Sequence, residues 1–177
     1  MYTQDMPTYD PIAVQPMRDE LTAVGFKELL KPDDVESVVK IKGTTLVVLN
    51  SVCGCSGGAV RPGIAVALQN STIPTEVTTV FAGMEKAAVA ELRKHLPEPA
   101  SSPNICLFKD GELVHYLDRP AIQEMDADML ADQMTQVFTA ACEAPGPSIS
   151  SDDFVKLGFK KVCGSTVSRN DGEIGKC

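Results

Sequence analysis

Residues 44–50, TTLVVLN, are β-branched or apolar nearly throughout and show no alternation of polar and apolar positions. A strand with that pattern must be covered on both faces, which places it inside a sheet with helices packed above and below. The next residues are SVCGCSGG, so two thiols separated by one glycine stand where this strand ends. The other segments have to fit around that interior strand.

Downstream, GGAVRPGIAVALQN is expected to be a helix beginning near Gly57, and Pro62–Gly63 should kink it or mark its second start. TEVTTVFAG (75–83) reads as a second strand, and MEKAAVAELRKHL (84–96) as a helix with basic residues at the end where its dipole favours them. PEPASSP is a loop, and NICLF and ELVHYLD flank Asp110–Gly111, a strong hairpin signal. DADMLADQMTQVFTAAC (126–142) is an amphipathic helix capped by Asp126, with Met129, Met134 and Val137 among its apolar positions.

Before residue 44 the chain reads as helical and peripheral: one helix starts at Pro16 and stops at Gly25, and a second has Pro32 in its first turn and ends before Gly43. Strands alternating with helices imply parallel pairing, and the hairpin adds an antiparallel edge. The expected fold is α/β, with a central mixed sheet of about four strands flanked by helices and with extra N-terminal helices. Residues 1–143 form the domain, APGPSISS (144–151) is a linker by composition, and 152–177 is a C-terminal extension too short for its own core.

Charge and hydropathy narrow the function. A formal net charge of −8 and a polar, acidic start disfavour nucleic acid as a partner and do not resemble a secretory leader. No run approaches the ~18 apolar residues needed to span a bilayer, so no membrane role is expected and the cytoplasm is the expected compartment. In a reducing compartment, the six cysteines are expected as core residues, metal ligands or redox groups rather than as a disulfide framework. Cys106, inside NICLF, and Cys142, closing a helix, read as buried core thiols.

Cys53 and Cys55 differ from these in position. They lie where a strand gives way to a helix, the place in open α/β sheets where functional groups gather. A helix N-terminus favours thiolate over thiol, and Gly54, Gly57 and Gly58 leave room for another sulfur to approach. A disulfide between positions i and i+2 closes a very small, strained ring that is easily reduced, as suits a cycling pair. Arg61, one turn further, is expected to be a solvated surface arginine, with added positive charge near the thiols as the alternative.

Metal binding and an inert buried pair remain the competing readings. The two histidines, His95 and His115, fall in no recurring ligand spacing, and no second Cys-x-Cys or Cys-x-x-Cys occurs, so neither a metal nor another cofactor is expected.

The element order from 44 to 142, with a dithiol at the first strand-to-helix junction, resembles the thioredoxin fold. SSPNICLFKDGELVHYLD is similar to the segment in which that family places a cis-proline, here Pro103, 50 residues after Cys53. The family's Trp-Cys-Gly-Pro-Cys is absent, the chain has no tryptophan, and TTLVVLN lacks the buried aspartate of thioredoxin. PMRDELTAVGFKEL, GTTLVVLNSVCGCSGGAVRP and the proline-bearing hairpin look much more like the bacilliredoxins, over roughly residues 10 to 143.

That resemblance implies a thiol–disulfide oxidoreductase that removes bacillithiol, or a similar low-molecular-weight thiol, from mixed disulfides on other proteins. It implies Cys53 as the attacking thiol, Cys55 as the residue that closes a redox-active disulfide, and Ser102–Pro103 as the loop meeting the substrate. A general protein disulfide reductase or isomerase is the nearest alternative; a non-enzymatic metal-binding or redox-sensing protein is the alternative of another class. Cys163, beside two lysines, and the terminal Cys177 read as incidental cysteines of the extension, or else as an extra resolving thiol.

Overall fold

The computed structural model describes residues 6–158; Cys163 and Cys177 lie outside them. Helix α1 (Pro11–Thr22) opens under the Asp10 side chain, which accepts from the Ile12 N–H. It therefore starts before the expected Pro16, which sits inside it. Strand β1 (Lys27–Glu28) and helix α2 (Pro32–Val39) follow. The interior strand is β2 (Thr44–Asn50), buried at every position.

Past the cysteines, a π-helical turn (Ser56–Val60) hands over to helix α3 (Arg61–Ala67), and the Arg61 N–H donates to the Ser56 carbonyl five residues back. The interruption expected at Pro62–Gly63 thus takes the form of a widened turn just ahead of the proline, whose missing N–H cannot continue an α-ladder. Gly63 is required by packing: a Cβ there would stand 2.8 Å from both the Ala127 carbonyl oxygen and Leu130 Cδ2.

Then come β3 (Thr72–Ile73), β4 (Glu76–Phe81), α4 (Lys86–Arg93), β5 (Asn104–Lys109) and β6 (Glu112–Leu117). The turn joining β5 to β6 holds Asp110 at φ 51° and Gly111 at φ 87°, the two positive values of the tight hairpin turn anticipated for Asp-Gly. The chain continues as α5 (Arg119–Gln123), α6 (Ala127–Ala141), β7 (Ala144–Pro145) and α7 (Ser151–Leu157).

The main sheet runs β1-β4-β2-β5-β6. β1, β4 and β2 are parallel, β5 is antiparallel to β2, and β6 is antiparallel to β5. This is a thioredoxin-like α/β sandwich with one strand more than the four expected. The extra strand, β1, is two residues long, too short for any period-2 pattern.

Alternation along β2 builds two cores. Leu46 and Val48 face a layer containing Ile64 and Ala65 of α3 and Leu130, Met134 and Phe138 of α6. Val47 and Leu49 face Val35 and Val39 of α2 and Ala88, Val89 and Leu92 of α4. Each fully buried aliphatic side chain contributes about 1.5–3 kcal/mol relative to exposure, so both faces of β2 are strongly specified.

Two further expectations change. The N-terminal segment is not peripheral, because Leu21, Val24 and Phe26 are buried in the first of these cores. On α6, Met129 is exposed, and Leu130, Met134 and Phe138 carry the buried face. Within 144–151, β7 pairs antiparallel with β3, and the Gly146 and Ser148 N–H groups donate to the Ser71 and Leu68 carbonyls.

Candidate active site

β2 ends at Asn50, and the chain turns at once into the cysteine pair. The Cys53 N–H donates to Ser51 Oγ at 3.2 Å, and the Cys53 carbonyl accepts from the Ser56 and Gly57 N–H groups at 3.0 and 3.3 Å. The helical conformation begins at 54–55, earlier than expected, so Cys55 is already within the first turn. The two sulfurs lie 3.0 Å apart as thiols, well beyond the ~2.05 Å of a disulfide bond. Cys53 is buried, and Cys55 is the more exposed of the two.

Arg61 organises this turn from below, contrary to the expectation of a solvated side chain. Its side chain is 5% exposed. Nε donates to Glu20 at 2.7 Å, and Nη1 donates to Asn50 Oδ1 at 3.1 Å and to the Ser51 carbonyl at 3.0 Å. Asn50 Oδ1 also accepts from the Ser51 N–H and from Ser56 Oγ, while Asn50 Nδ2 donates to the Met17 carbonyl. A buried guanidinium satisfied in this way fixes the strand end, the serine under Cys53 and the π-turn relative to one another. Sequence reading missed it because Asn50, Glu20 and Arg61 are distant in the chain and none belongs to a motif.

Cys53 opens on a cleft of about 210 Å³ that also receives Ser102, Tyr9, Arg93 and Arg119. Ser102 arrives on the loop before β5, where the Ser102–Pro103 peptide is cis, as anticipated. Pro103 itself is buried behind it, and its carbonyl accepts from Asn104 Nδ2 at 2.8 Å. Cys53 and Ser102 therefore share one cleft; Cys55 touches Cys53 through sulfur but, like Pro103, does not line that cleft. Tyr9 closes the far side by crossing Gly83, where φ is +83° and a Cβ would come within 2.7 Å of the tyrosine ring.

Among the described residues no group of three or more His, Cys, Asp or Glu side chains converges as a metal site. No helix among them is long and apolar enough to cross a membrane. Neither His95 nor His115 lines the cleft, and each leaves a buried Nε2 without a hydrogen-bond partner.

The chain is similar to known proteins in sequence and, more weakly, in structure. The family model described as disulphide isomerase matches residues 9–142. A bacilliredoxin of Cytophaga hutchinsonii is 46% identical over 131 residues, covering 73% of this chain and 97% of that protein. A bacilliredoxin of Halalkalibacterium halodurans is 46% identical over 132 residues, covering 73% of this chain and 92% of its own. Among solved structures, the thioredoxin-like domain of an Arabidopsis protein, NUCLEAR CONTROL OF PEP ACTIVITY, superposes with a TM-score of 0.45 at 17% identity, over 79% of this chain and 88% of that one. With relatives matched along nearly their whole length and the family model spanning residues 9–142, the cysteine pair included, the chain belongs to the bacilliredoxin family of thiol–disulfide oxidoreductases.

Proposed function

We propose that this protein removes a low-molecular-weight thiol, bacillithiol or a close analogue, from mixed disulfides on other proteins. The observation that carries the reading is the sulfur pair 3.0 Å apart with Cys53 open to a small cleft that also holds Ser102. In the first step the Cys53 thiolate attacks the sulfur of the small thiol. The protein–thiol bond breaks, the target leaves as a reduced thiolate, and Cys53 carries the small thiol as a mixed disulfide. Cys55 thiolate then attacks Cys53 Sγ, expelling the small thiol as thiolate and leaving a Cys53–Cys55 disulfide. Alternatively, a second molecule of the free thiol displaces the first, giving its symmetrical disulfide and restoring Cys53. In each step one disulfide is exchanged for another and electrons balance.

A second reading, reduction or isomerisation of ordinary protein disulfides, draws support from the description of the matching family model. The greater exposure of Cys55 favours the reverse order of attack, with Cys55 first. One experiment separates these. Reduced wild type, Cys53→Ala and Cys55→Ala are mixed with a bacillithiol-modified target and followed by intact mass. The expected result is that Cys55→Ala gains the mass of the small thiol while Cys53→Ala gains nothing. The opposite pattern reverses the order of attack. Reduction of a plain protein disulfide without thiol transfer establishes the second reading.

A further inference from the structure

The chain has a formal net charge of −8, yet the cleft beside Cys53 is lined by two arginines and, among the described residues, by no carboxylate. The other two arginines that hold structural positions are neutralised: Arg18 by Glu28 and Glu85, Arg61 by Glu20. Arg93 and Arg119 stand in none of the ion pairs among the described residues. Arg93 Nε is moreover buried with no hydrogen-bond partner. Leaving a charged donor desolvated and unmet costs free energy, and two like charges around one cleft add to it. Such a site is poised for an anion, which would satisfy both guanidinium groups with charge-assisted hydrogen bonds.

The two arginines come from different elements, Arg93 from the last turn of α4 and Arg119 from the first residue of α5. Each looks unremarkable in the sequence, one as a cation at a helix end and the other as a residue following a hairpin. Only the fold brings them to one cleft with Cys53 and Ser102. The volume, about 210 Å³, lies below the ~300–1,000 Å³ usual for drug-sized ligands, so it suits a compact group rather than a length of polypeptide.

We infer that Arg93 and Arg119 form an anion-binding subsite that takes the carboxylate end of a low-molecular-weight thiol while its sulfur exchanges at Cys53. Thiols bearing carboxylate are therefore accepted in preference to neutral ones. This rests on the proposed transfer reaction for its purpose, although the subsite has a test that does not depend on that reaction. The arginines act on selection of the thiol and not on the bonds that are exchanged.

The test uses the full chain with Cys55→Ala, so that thiol transferred to Cys53 accumulates. One target protein is loaded with mercaptosuccinate, which carries two carboxylates, or with the neutral 2-mercaptoethanol, and transfer to Cys53 is timed by intact mass. Attack on the small thiol's sulfur releases the same target in both cases. The mercaptosuccinate-to-mercaptoethanol rate ratio is then compared with that of the Arg93→Gln/Arg119→Gln protein, which cancels the intrinsic reactivities of the two thiols. The ratio should be at least about tenfold higher with the arginines present and should shrink as salt rises. The Arg93→Lys/Arg119→Lys protein, which keeps the charge, should retain more of the preference than the Gln pair.

Independently, succinate should slow iodoacetamide alkylation of Cys53 when the arginines are present, but not in the Gln pair, and neutral succinamide should have no effect. Equal rate ratios together with no protection by succinate overturn the subsite while leaving the transfer reaction standing. Protection by succinate in a protein that transfers neither thiol supports the subsite and defeats the transfer reading instead.

Discussion

Cys53 and Cys142 are almost equally hidden, at 4% and 5% exposure, yet they stand in opposite circumstances. Cys53 lies at the end of the interior strand, 3.0 Å from a second sulfur and open to a cleft. Cys142 closes α6, and burial pushes its thiol up, an effect only partly offset by the Thr44 hydroxyl and the Lys109 charge. Cys106, in the middle of β5, is wholly buried and is pushed up further by the same cause. Accessibility alone does not separate the thiol proposed to react from a core thiol. The separation comes from what lies beside the sulfur: a second thiol and an open cleft for Cys53, the packed side chains of the core for Cys142.

The largest expected effect tests this contrast directly. Cys53→Ala should reduce thiol transfer to background in the mass assay, whereas Cys106→Ala and Cys142→Ala should keep the wild-type rate; loss of transfer in either core variant would collapse the distinction. Next, iodoacetamide applied to native protein and mapped by peptide mass should modify Cys53 and Cys55 at least about 100-fold faster than Cys106, whose labelling waits for the fold to open. Adding denaturant should erase that difference.

Stability gives a third comparison. Arg61→Ala removes a buried guanidinium from Asn50, Ser51 and Glu20 and should cost about 3 kcal/mol in urea unfolding. Lys27→Ala, breaking an exposed pair with Glu76, should cost far less. If the two prove equal, the Arg61 network is not what fixes the strand end.

The smallest effect concerns His115 on β6, whose imidazole is held below its ordinary value of 6.5 by burial. The unfolded chain then takes up a proton more readily than the folded one. This contribution to stability is therefore complete above 6.5 and declines as pH falls through 6.5 toward the lowered folded value. Urea midpoints at pH 7.5 and 5.5 should differ slightly less in His115→Gln than in the wild type.

Elements written in local chemistry are legible in the sequence itself. TTLVVLN declares its two buried faces, Asp110–Gly111 its turn, and Asp126 its cap, because each signal is contained within a few neighbouring residues. The position of the cysteine pair at a strand-to-helix junction is legible for the same reason. β1 is not, since two residues carry no period, and its place is set by pairing with β4. Nor is the fate of the arginines. Arg61 is buried by partners contributed from Glu20 and Asn50, while Arg93 and Arg119 meet at the cleft only because α4 and α5 end and begin there.

The widened turn at Ser56–Val60 ties two demands together, the aim of the sulfur pair and the packing of the core. Ile64 and Ala65 are locked into the core, so the register of everything after Arg61 is pinned by packing. One residue gained or lost between Cys55 and Arg61 would turn what precedes it by about 100° around the helix axis, and Ala59 and Val60, buried in that same core, would turn with the sulfur pair. The stretch that aims the thiols is thus also a piece of the interior, and the packing that keeps the protein folded guards that aim against insertion and deletion.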